Sequence, residues 1–246
     1  MRRFLLSGAI ALIATGVLVT PAAANHSWGG YHWARTANPF TIAVGDNVDP
    51  SWDRHLATAV SDWSADTAGN PLNATVVAGA AKGRQCKPTA GRVEVCNGRY
   101  GDTGWSGIAT IWIASGGHIT QGSARMNDFY MAGLPEVSKA HVMCQEVGHD
   151  WGLDHQDESG ADLNTCMDYA DAFDNAHPNR HDYEQLAAIY SHLDSFTTIG
   201  SADTGLAGRD GARPYTTQRT DKRHSSRIVE LFADDSKRVT VIDWAD

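Results

Sequence analysis

Apolar residues first alternate with polar ones in F-T-I-A-V, Phe40 to Val44, a run that predicts a strand closed by the turn-like G-D-N. The period then changes. From Asp49-Pro50-Ser51 the chain carries Trp52, Leu56, Val60 and Trp63 at helical spacing, which predicts a helix with one buried face. Short β-type runs follow at Asn73 to Ala78 and Arg92 to Cys96, then a longer apolar strand at Gly107 to Ala114. A helix is expected from about Pro135 to Trp151. Beyond Leu193, the stretch Thr197 to Ser225 is rich in Gly, Ser, Thr, Asp and Arg and predicts a linker or meandering loop. Arg227 to Trp244 holds two β-type runs around A-D-D-S-K, the pattern of a hairpin. The expected organisation is a leader over 1–24, one domain over 25–196, and a polar linker with a docked hairpin over 197–246.

The N-terminus and the charge narrow the setting. Arg2 and Arg3, the apolar run Phe4 to Val19 and Ala22-Ala23-Ala24 predict a signal peptide cleaved after Ala24. A membrane anchor is the weaker reading, because the run is short and ends in a small-residue cleavage pattern. The formal charge is −9, and losing the two leader arginines takes it to −11. That balance disfavours nucleic acid and anionic membranes as partners. Four cysteines in an exported chain suggest two disulfides, with three possible pairings; buried free thiols are the alternative. A monomer is expected.

The chemistry concentrates between Gln145 and His155, in Q-E-V-G-H-D-W-G-L-D-H. On a helix, residues four apart differ by about 40° of rotation and ~6 Å of rise, so Gln145 and His149 share a face. Glu146 lies beside that face, where a carboxylate can take a proton from a metal-bound water. Gly152 can end the helix by adopting positive φ, and His155 then returns from another direction as a further ligand. Other donors fit poorly. His141 lies about 12 Å before His149 along a helix, and Cys144 points about 140° away from it.

This spacing is H-E-x-x-H-x-x-G-x-x-H with Gln145 at the first histidine, followed by Met167 in C-M-D-Y. It resembles the metzincin clan of zinc endopeptidases, nearest the matrixin-like bacterial secreted members, from roughly Phe40 to Leu193. The resemblance implies an α+β fold with a twisted, mostly parallel sheet and an antiparallel edge strand. Gly107 to Asn127 would supply the edge strand and the strand after it, and Asp182 to Tyr190 a closing C-terminal helix. Zn2+ would be held by Gln145, His149 and His155, with Glu146 as general base and Met167 in the Met-turn beneath. Tyr169, two residues after Met167, matches a tyrosine that reaches the metal or oxyanion in some metzincins; a packed aromatic is the other reading. Cys86 with Cys96 would close a short loop, and Cys144 with Cys166 would staple the Met-turn to the helix. A peptide or protein substrate would add as a strand along Gly107 to Ala114. An amide oxygen is a weaker ligand than imidazole, so two readings stand: a zinc endopeptidase, or a silent peptide-binding or inhibitory module on the same scaffold.

Three further features carry less chemistry. His118 reads as a surface residue after the apolar strand, with a structural metal as the alternative. Asp154, Asp157, Glu158, Asp162, Asp171 and Asp174 could bind Ca2+ or form a solvated acidic face; no D-x-D-x-D-G loop is present. Trp28, Tyr31 and Trp33 could touch substrate or simply pack.

Overall fold

The alternation in Phe40 to Val44 becomes a strand because Phe40, Ile42 and Val44 are buried while Thr41 faces solvent. This computed structural model describes residues 26–81, 85–169, 175–201 and 213–245. In chain order the elements are β1 (His32–Trp33), β2 (Phe40–Asn47), α1 (Asp53–Trp63), β3 (Leu72–Ala78), β4 (Val93–Gly98), β5 (Trp105–Ile113) and β6 (His118–Asn127). There follow α2 (Asp128–Met131), α3 (Glu136–His149), α4 (Arg180–Ile189), β7 (Thr216–Asp221), β8 (Ser225–Leu231) and β9 (Lys237–Trp244).

All nine strands form one mixed sheet in the order β3-β2-β4-β6-β5-β9-β8-β7, with β1 also on β6. β3, β2, β4 and β6 run parallel, while β5, β9, β8 and β7 alternate direction. The α+β class holds, but the sheet is divided between parallel and antiparallel halves and is not mostly parallel. The second correction bears on function. β5 is no edge strand: it pairs with β6 on one side and with β9 on the other from Trp105↔Trp244 to Ile113↔Lys237.

The tail differs from expectation in the same way. The hairpin forms as β8 and β9, but it extends the sheet edge-on. Residues 216–221, expected in the linker, are a third strand on β8. The leader and the Ala24 cleavage site lie outside the described residues. Among the described residues, no helix is long and apolar enough to cross a membrane.

Helices α1 and α3 cover the sheet with Trp52, Leu56, Trp63, Val142, Met143 and Val147 in one core. Trp63 fixes their contact, its indole donating to the Cys144 carbonyl at 2.9 Å. Trp28 and Trp33 also pack in this core.

Candidate metal centre

Helix α3 carries Gln145, Glu146 and His149 and ends at His149, followed by a turn to Gly152 at φ +92°. Glycine is needed at 152 twice over. The left-handed backbone favours it, and any side chain would strike the Tyr31 carbonyl. Gly148 serves the same helix differently: a Cβ there would lie 2.6 Å from the Trp63 ring and 2.7 Å from Met167 Sδ. Its bare backbone lets the methionine of the C-M-D-Y turn pack under α3. Both disulfides form with the expected pairing, Cys86–Cys96 and Cys144–Cys166. The second ties the residue before Met167 to the residue before Gln145, and two disulfides fit an oxidising, extracellular setting.

The two histidines meet. His149 Nε2 and His155 Nε2 are 2.9 Å apart and both side chains are buried. Their other nitrogens are occupied: His149 Nδ1 bonds the Leu153 carbonyl at 2.9 Å, and His155 Nδ1 bonds Glu158 Oε1 at 3.3 Å. A carbonyl and a carboxylate can only accept, so each Nδ1 carries the proton and each Nε2 presents a lone pair. Burial holds both imidazoles well below their ordinary pKa, His155 at about 3, so neither supplies a proton between them near neutrality. Two ligands of one tetrahedral zinc sit roughly 3.3 Å apart, given Zn–N bonds of ~2.05 Å. The observed gap is a few tenths shorter. Trp28 stacks on the His149 ring at 5.0 Å and fixes its plane.

Gln145 lies one turn earlier, fully buried. Its Nε2 donates to the Asp168 carbonyl at 3.3 Å, and its Oε1 has no hydrogen-bond partner. A buried orphan carbonyl oxygen one helical turn before His149, with the two lone-pair nitrogens, makes up donor chemistry that suits a divalent transition metal. Both carboxylate oxygens of Glu146 are likewise buried and unpartnered. Burial, then Asp243 and Asp150, push its pKa well above the usual carboxylate range, against the opposing charge of Arg125. Glu146 lies against β5 at Gly107, where a Cβ would fall 2.7 Å from its Cδ. The Tyr169 ring lies 4.1 Å from that of His155, its hydroxyl buried beside Ser225.

The remaining candidates separate from this centre. His141 bonds the Asn175 carbonyl at 2.8 Å, and Cys144 is in its disulfide. The acidic residues form no oxygen cage among the described residues: Asp157 holds Ser159 and Ala161, and Asp162 holds Asn164 and Asn175. Asp171 and Asp174 lie outside the described residues. Asp154 and Glu158 cluster on His155 itself and orient it.

The C-terminal strands close the centre over. Lys222 pairs with Glu158, Arg227 Nη1 with Asp154 at 3.3 Å, and the His224 ring stacks 6.1 Å from Tyr169. On β9, Asp243 is the register partner of Gly107 and accepts from Ser106 Oγ at 2.6 Å. The cavity left between His155 and β7–β8 is about 10 Å³, room for about one water. Asp243, Asp150 and Arg125, which set the field at Glu146, carry no motif that sequence reading could have found. Comparison with protein-family models, curated proteins and solved structures finds no match to this chain.

Proposed function

We propose that the chain is a secreted zinc-dependent endopeptidase held latent by its own C-terminal strand. The observation that carries this reading is the pair of buried lone-pair nitrogens, His149 Nε2 and His155 Nε2, 2.9 Å apart, on a chain whose adjoining helix also holds the orphan Gln145 Oε1 and the orphan Glu146 carboxylate. Gln145 Oε1 and both Glu146 oxygens have no hydrogen-bond partner, and buried polar atoms without partners are costly unless a ligand uses them. Gln145, His149 and His155 would hold the ion, which when bound polarises the scissile carbonyl and acidifies a water.

The chain's own groups do the rest. Glu146, with no hydrogen bond to give up, accepts the water's proton and delivers it to the leaving amine. Tyr169, whose ring lies over His155, would donate its hydroxyl in a hydrogen bond to a developing oxyanion. Backbone groups of β5 bind the peptide as an added strand, and they can do so only when β9 leaves them. While β9 pairs with β5, it occupies the edge that the proposed substrate would take.

That same closure favours the second reading, a silent module whose cleft holds a peptide segment and nothing more. The test is zinc content together with cleavage of a broad peptide library, on the full chain and on a Glu146→Ala variant. The enzyme reading expects about one zinc at this centre and a loss of at least about a hundredfold in the variant, the scale of a missing general base. Bound zinc with no cleavage, even when the C-terminal strands are loosened, selects the silent module. Failure of this centre to take up zinc overturns the endopeptidase.

A further inference from the structure

A cluster away from the α3 centre gathers four metal-type donors from three distant stretches of the chain. β1 and β6 pair in parallel with His32 opposite His118, which puts the two imidazoles side by side at one end of the sheet. The segment after α4 brings His192 and Asp194 to the same place. Asp194 Oδ1 lies 3.2 Å from His118 Nε2, 3.5 Å from His32 Nε2 and 3.9 Å from His192 Nε2. His192 Nε2 lies 3.1 Å from His32 Nε2.

The surroundings aim these atoms inward. His32 Nδ1 bonds the Gly30 carbonyl at 2.9 Å, so it carries the proton and Nε2 presents its lone pair to the cluster. Asp194 Oδ2 is taken by the Arg35 backbone N–H at 3.1 Å and by Arg35 Nη1 at 3.4 Å, which leaves Oδ1 for the histidines. Arg35 is itself fixed, donating to the Tyr190 carbonyl at 2.7 Å and to the His192 carbonyl. In this tautomer, the His32 lone pair faces a carboxylate oxygen across 3.5 Å, an arrangement that repels unless a cation or a proton lies between.

We propose that His32, His118, His192 and Asp194 bind a structural zinc ion, independent of the Gln145–His149–His155 centre. Ligands of one tetrahedral zinc lie roughly 3.3 Å apart; four of the six separations among these donors, 3.1 to 3.9 Å, bracket that value, and His32, His118 and Asp194 offer atoms that all lie within 4.8 Å of one another. Three imidazoles and one carboxylate suit zinc and not calcium, which takes oxygen donors. The His192 side chain is 49 % exposed, so the ion has a route in from solvent. Bound there, it ties the N-terminal segment to the β5–β6 turn and to the chain leaving α4.

The test uses the full chain, stripped with a chelator and titrated with Zn2+, with the metal counted after desalting and the melting temperature followed. A His149→Ala variant disables the α3 centre without touching this one. It is expected to retain about one zinc per chain and to melt on the order of 5 °C higher with zinc than without. Adding His192→Ala or His118→Ala to it should abolish both the bound zinc and the shift. The His192 change, at a half-exposed position, is the control against simple misfolding, and circular dichroism reads the fold. A folded His149→Ala protein that takes up no zinc overturns the proposal. So does a double variant that keeps its zinc.

Discussion

Glu146→Gln keeps the side chain's volume and removes its charge. Both Glu146 oxygens are buried without a partner, and Asp150 and Asp243 make a negative charge there less favourable still. Leaving such a group unsatisfied costs about 1–3 kcal/mol, and Gln relieves the charged part of that cost. For a chain of this length each kcal/mol moves the melting temperature by roughly 2–4 °C. The chelated variant should therefore melt about 2–10 °C above the chelated parent in a calorimetric scan near neutral pH. Zinc should narrow the gap, because a cation at His149 and His155 offsets the parent's charge and stabilises the parent more. Cleavage by the variant should fall at least about a hundredfold. A chelated variant that melts at or below its parent refutes the argument, since Glu146 would then be a stabilising group and not a strained one.

Three other variants test separate parts of the reasoning. Gln145→His should tighten zinc at the α3 centre by at least about tenfold in a competition with a chromophoric chelator, and unchanged affinity would remove Gln145 from the ligand set. Arg227→Glu with Lys222→Ala loses two partly exposed ion pairs, together about 1–2 kcal/mol, so the population with β9 displaced should rise about 5–30-fold. Peptide cleavage should rise with it, and a rate unchanged by the pair would mean that β7–β9 do not gate the cleft. Cys144→Ser with Cys166→Ser opens a loop of sequence separation 22 and should cost about 3 kcal/mol in denaturant unfolding; a cost near zero would mean that packing of Met167 against α3 suffices.

Local chemistry was legible in the sequence and long-range pairing was not. The 3.6 period and the Gln145 to His155 spacing located α3, His149 at its end, the turn at Gly152 and His155 beyond it, because all of these follow from geometry within a few turns of chain. The boundaries moved by two or three residues, as at α3, which ends at His149 and not Trp151. β7 was missed because T-T-Q-R-T-D is almost wholly exposed and shows no apolar alternation. β8 and β9 were legible as a hairpin, but alternation cannot say which edge a hairpin joins. The His32–His118–His192–Asp194 cluster was invisible for a similar reason. Its members lie up to 162 residues apart, and a parallel β1–β6 register brings the first two together.

The composition of β5 shows why something must cover it. W-S-G-I-A-T-I-W-I is apolar through most of its length, buried at every position but Trp112, and carries no charge. A strand of that kind, left at an edge, is a template for aggregation, and edge strands are ordinarily blunted by charge, proline or brevity. β5 has none of these, so it behaves as a central strand and needs hydrogen-bonded neighbours on both sides. β6 supplies one. β9 supplies the other, taking the backbone donors and acceptors that the proposed peptide substrate would need, with the advantage of being tethered to the same chain. The tether also places Asp243 opposite Gly107, the strand position against which Glu146 lies, so closure adds a negative charge beside the buried carboxylate. With β9 in place, burial first and Asp243 second hold the Glu146 carboxyl above the ordinary carboxylate range.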